Sequence, residues 1–144
     1  MSRDDGHNPM RWDCQVQGCF NRKKRPKIEM FADCLPGRTA FSDVDAVAEI
    51  CGNLLFLEWK DHQKLSVGQR ILFERITAMC PATVFIIEGN AEHMTVDSIR
   101  LAWQGEISPC ESADLEGVRN AFRKWSAWAL ANPAAHRSQE ASWN

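Results

Sequence analysis

Leu54-Leu55-Phe56-Leu57-Glu58-Trp59-Lys60 is the stretch on which the fold turns. Its apolar run is short and lies between Gly52-Asn53 and the polar segment Asp61–Ser66. A run of this length between turn signals reads as a buried strand. Side chains alternate along a strand, so Glu58 and Lys60 share one face. Two charges leaving a core strand cost free energy unless they are paired or ligated.

Upstream, Thr39 to Ile50 reads as extended, with Phe41, Val44, Val47 and Ile50 apolar. Gly52-Asn53 is a hairpin signal, which makes this segment the neighbour of 54–60. Asp43 and Asp45 then share a face, and Asp45 and Glu58 converge at the end of the sheet. Pro26 to Asp33 permits a short helix, ended by Pro36-Gly37. Downstream, Val67, Ile71, Leu72, Ile76 and Met79 have helical spacing, with Ser66 as N-cap and Pro81 as the stop. Ala82 to Ile87 reads as a buried strand ended by Gly89-Asn90, and Met94 to Trp103 as a further strand. Leu115, Val118, Phe122, Trp125 and Trp128 mark an amphipathic helix that stops at Asn132-Pro133. The order is helix, strand, strand, strand, helix, strand, then a strand and a helix. Periodicity alone implies a mixed α/β domain.

The chain has 144 residues, enough for one domain. We expect it over 1–133, with 1–26 a Cys-containing basic arm and 134–144 a flexible tail. No stretch reaches the roughly 20 apolar residues of a membrane span, and the N-terminus lacks the apolar core of a secretory signal. The expectation is a cytoplasmic protein with reduced thiols and no membrane partner. The net charge of -2 does not suggest a nucleic-acid binder, but it hides an asymmetry. Residues 1–40 hold eight Lys/Arg against five Asp/Glu, and residues 41–144 hold nine against fourteen. The excess sits in Arg22, Lys23, Lys24, Arg25 and Lys27, a run suited to phosphate backbone. The alternative for such a run is a solvated loop.

Two converging carboxylates form a hard-oxygen site for Mg²⁺ or Mn²⁺. Such a cation polarises a phosphodiester and acidifies a bound water. Lys60, on the face of Glu58, can orient that water or offset charge developing on phosphate. The competing reading makes Asp43 and Asp45 turn residues, and Glu58 and Lys60 a wet strand end.

Asp45, twelve residues, then Glu58-Trp59-Lys60 resembles the PD-(D/E)XK nuclease superfamily. The compact layout is similar to Holliday junction resolvases of archaeal type and VRR-type nucleases. The whole chain also resembles small proteins of tailed phages and prophages, through CFNRKKRPKIEMFADC and DVDAV…LEWK. The proline before the first aspartate is absent, since the local sequence is Ser42-Asp43-Val44-Asp45. The resemblance implies a restriction-endonuclease-like αβββαβ core, with a mixed central sheet flanked by helices and an added C-terminal helix. It makes Asp45 and Glu58 ligands of a divalent cation, aided by Asp43 and the Trp59 carbonyl. It makes Lys60 the catalytic lysine. Glu29 on the first helix and Gln69 on the second then stand where such enzymes place auxiliary polar residues. The implied function is a Mg²⁺-dependent DNA endonuclease, a phosphodiesterase hydrolysing branched or end-containing DNA. If phage-encoded, it would act in the bacterial host cytoplasm. The alternative is a non-catalytic DNA- or protein-binding protein, an inhibitor or adaptor, on a nuclease-like scaffold.

Cys14, Cys19 and Cys34 could give three thiolates to Zn²⁺, the other reading being buried thiols that act as small hydrophobes. Trp103, Trp125 and Trp128, with Phe122, are expected to pack a C-terminal layer on the sheet. Stacking on bases is their functional alternative. The C-terminal helix either completes the core or mediates a homodimer.

Overall fold

A computed structural model describes Pro26, residues 28–62 (Glu29 by its backbone alone) and residues 64–135. Contacts divide the chain into two units, Met1–Phe41 and Ser42–Asn144. In the first, Ile28–Cys34 is a 3₁₀ helix, where the sequence pattern permitted a helical turn.

The second unit is an α/β layer structure. Its strands are β1 (Ala46–Ile50), β2 (Asn53–Lys60), β3 (Ala82–Asn90), β4 (Thr95–Trp103), β5 (Glu106–Ile107) and β6 (Glu111–Ser112). Its helices are α1 (Val67–Met79) and α2 (Leu115–Ala131). The six-stranded sheet is ordered β1-β2-β3-β4-β5, with β6 paired to β4. β2 and β3 are parallel, with Glu58 opposite Ile86 and Lys60 opposite Glu88. The other pairs are antiparallel, so the sheet is mixed. A parallel pair needs a crossover, and α1 supplies it.

Alternation in the central strands sorts the core onto two faces. On one face Phe73 of α1 packs with Val84, Ile86 and Ala102, joined by Phe56, Leu72 and Ile76. On the other face Val118, Trp125 and Ala129 of α2 pack on Leu55, Phe85 and Ile87. The expected tryptophan layer is present, with Phe122 5.1 Å from Phe85 and Trp103 edge-on to Trp128 at 5.3 Å, between ring centroids. Among the described residues no helix is long and apolar enough to cross a membrane.

Four expectations are corrected. The extended segment expected from Thr39 becomes a strand only at Ala46, so two strands, not three, precede α1 among the described residues. The hairpin turn is Cys51-Gly52, not Gly52-Asn53. Both turn residues have positive φ, 51° and 84°, and Ile50 pairs with Asn53. Asn53 instead starts β2, where its buried side chain donates to Asn132 O at 2.8 Å and to Ala129 O at 3.4 Å. The third is the end of β3, which runs past Ile87 to take in Gly89 and Asn90 through a register shift between Glu88 and Gly89. A Cβ on Gly89 would lie 2.1 Å from Thr95 O, so glycine is what lets β4 approach there. The fourth concerns Cys34, which is exposed like Cys51, Cys80 and Cys110, against the reading of buried thiols.

Candidate active site

The carboxyl end of β2 delivers Glu58 and Lys60 to the α1 face of the sheet. Phe56, two residues back on the same face, packs in the core beneath α1, so the charged pair sits at the lip of the core. Glu58 is only 8% exposed. Its Oε1 lies 3.9 Å from Lys60 Nζ.

Asp45 meets them from the hairpin partner. Its N–H donates to Leu57 O at 3.1 Å, and its Oδ2 accepts from the Trp59 N–H at 2.6 Å. A side-chain oxygen thus takes the place a strand carbonyl would hold, which accounts for the late start of β1. The contact also fixes the Asp45 carboxylate beside Glu58. The Trp59 indole turns to the opposite face, where Nε1 donates to Gly89 O at 3.0 Å.

Gln69 closes the arrangement from the first turn of α1. Its Oε1 accepts from Lys60 Nζ at 2.6 Å, and its Nε2 donates to Glu58 Oε1 at 2.9 Å. Glu58, Lys60 and Gln69 therefore form one hydrogen-bonded group, and the Asp45 charge is near enough to act on Glu58.

Burial holds the Glu58 carboxyl above its ordinary range, and the neighbouring Asp45 charge pushes the same way. Lys60 and the Gln69 hydrogen bond oppose the rise, and Asp43 adds slightly to it. Burial and a second carboxylate thus outweigh the single lysine that faces Glu58. A divalent cation would relieve this imbalance, so the donor chemistry fits Mg²⁺ or Mn²⁺. Among the described residues no group of three or more His, Cys, Asp or Glu side chains is placed to hold a metal ion. A cation here would take the two carboxylates Asp45 and Glu58, with water and substrate oxygens for the rest.

No protein-family model, curated protein or solved structure matches this chain.

Sequence reading missed Glu88 and Ser98. Glu88 stands beside Lys60 on β3 and accepts from Ser98 Oγ at 3.3 Å. The available signal was the same one that exposed Glu58, an apolar strand ending in an acid. An open cavity of about 680 Å³ adjoins Lys60, lined by Trp59, Asp61, Asn90, Glu92 and Asp97 among others. Arg22, Lys23, Lys24, Arg25, Lys27, Cys14 and Cys19 lie outside the described residues, as does the side chain of Glu29. Cys34 ends the 3₁₀ helix, with Sγ 3.7 Å from Asp33 Oδ1.

Proposed function

We propose that this chain is a Mg²⁺-dependent phosphodiesterase acting on DNA, built on a reduced nuclease-like α/β core. The reading rests on one arrangement: Glu58 and Lys60 at the end of a buried strand, joined by Gln69 and faced by Asp45.

Asp45 and Glu58 would hold the cation. When bound, it polarises the scissile phosphate and acidifies an attacking water. Lys60 carries a positive charge into the same space, where it orients that water and offsets charge developing on the phosphate. Gln69 keeps the Lys60 ammonium and the Glu58 carboxylate at fixed spacing, so little reorganisation is needed as charge moves. The largely buried setting of the Glu58 and Lys60 side chains strengthens both interactions relative to open water. The basic run 22–27 would supply the nonspecific grip on the backbone, with a steep salt dependence.

The test is incubation of linear, nicked and branched DNA with the full chain and Mg²⁺, with a chelator control. Cleavage that needs Mg²⁺ and falls by about a hundredfold or more in Lys60→Ala and Glu58→Ala is expected. Undiminished cleavage by both variants would remove these residues from the chemistry. DNA binding without cleavage or Mg²⁺ uptake would favour a non-catalytic adaptor.

A further inference from the structure

We propose that Ser66, the N-cap of α1, is a positioning residue for the Glu58–Lys60 pair and acts through Gln69. The inference rests on the phosphodiesterase reading above, but its geometry stands apart from that reading.

Ser66 caps α1 with extended backbone, φ -67° and ψ 159°. Its Oγ accepts from the Gln69 N–H at 3.1 Å, and its own N–H donates to Gln69 Oε1 at 3.4 Å. This reciprocal capping box ties residue 66 to the third residue of the helix. In an ordinary capping box that glutamine or glutamate side chain serves only the helix end. Here the same amide also takes the Lys60 ammonium and donates to Glu58.

The three partners agree on one orientation of the amide. The Lys60 ammonium and the Ser66 N–H are donors and face Oε1, while the Glu58 carboxylate is an acceptor and faces Nε2. A flipped amide would set NH₂ against two donors and the carbonyl against a carboxylate. The Ser66 hydroxyl holds the backbone of Gln69, and thereby the origin of its side chain. Without that hydroxyl the first turn of α1 frays, and the spacing between Lys60 and Glu58 loses its brace. A helix cap is thus part of the site, although Ser66 itself contacts neither acid nor lysine in any hydrogen bond of the network.

The experiment compares full-length wild type, Ser66→Ala and Ser66→Thr, since threonine restores a capping hydroxyl. Two readouts are taken: the side-chain amide signals of Gln69 by ¹H–¹⁵N NMR, and the kcat and KM of Mg²⁺-dependent cleavage. Ser66→Ala is expected to move the Gln69 amide signals and speed their exchange with water. It is also expected to lower kcat about tenfold with KM little changed. Ser66→Thr is expected to bring both back. Unmoved Gln69 signals in Ser66→Ala overturn the proposal, as does equal loss in the alanine and threonine variants. A wild type that cleaves no DNA refutes the phosphodiesterase reading, and the Gln69 signals then decide the positioning role alone.

Discussion

The Asp45 carboxylate lies 2.6 Å from the backbone nitrogen of Trp59 and replaces a strand carbonyl at the point where β1 begins. One residue thereby ends a ladder and faces a candidate cation site, and the two roles separate by substitution. Asp45→Asn keeps an acceptor oxygen and should hold stability within about 0.5 kcal/mol, whereas Asp45→Ala strands the N–H and should cost about 1 kcal/mol. Both should abolish Mg²⁺-dependent cleavage. Urea denaturation and a cleavage assay measure the two effects, and wild-type cleavage by Asp45→Asn would exclude Asp45 as a ligand.

Glu58 predicts a pH dependence in metal-free protein. Its carboxyl titrates above the ordinary 4.5 when folded, because burial and Asp45 disfavour its charge. The unfolded chain therefore releases this proton first as pH rises. The stabilising contribution is present below the unfolded pKa and is lost as pH rises through the raised folded value. Glu58→Gln should thus exceed wild type in stability near about pH 7, with the gap closing toward about pH 4. Thermal denaturation with chelator tests this. Added Mg²⁺ should stabilise wild type and leave Glu58→Gln almost unchanged.

Gly89 and Gly68 should respond to alanine with opposite signs. At Gly89 the new Cβ would meet backbone of Thr95 and Val96, and a cost of about 1–3 kcal/mol is expected. At Gly68, in the first turn of α1, nothing lies within 4 Å, and helix propensity should contribute about 0.5–1 kcal/mol of stability. Paired melting curves decide both, and equal shifts would contradict the bulge geometry.

Asn53 ties the start of β2 to the end of α2 through Ala129 O and Asn132 O. Asn53→Ala should cost about 1–3 kcal/mol by leaving buried acceptors unpaired. Native-state hydrogen exchange should quicken in the last turn of α2, while protection in α1 holds. Uniform loss of protection across both helices would argue against a local tie.

Much of this was legible in the sequence where one force dominates. Leu54–Leu57 is apolar enough to be a central strand, and the 3.6-residue spacing of α1 and α2 leaves few alternatives. Glu58 and Lys60 followed from period-two alternation, and Asp45 from the hairpin. The turn slipped by one residue because Asn53 favours turns in isolation but is recruited by the distant carbonyls of α2. The β3 end was misplaced because glycine signals both a turn and a bulge, and only the neighbouring β4 backbone decides between them. The start of β1 depends on a side chain acting as backbone, which no hydropathy pattern records.

The parallel pairing of β2 with β3 has a consequence for how this protein could diversify. Both strands run out at the same end of the sheet, so the segments that follow them, 61–64 and 91–94, border Lys60 together. None of their described residues belongs to either core cluster, whereas Leu65 and Ser66 beyond them are held by the core and by α1. The length and charge of the two segments can therefore drift, or be exchanged by an engineer, while Asp45 and Glu58 stay anchored to the sheet. On the phosphodiesterase proposal, substrate preference is the property such drift would reshape first.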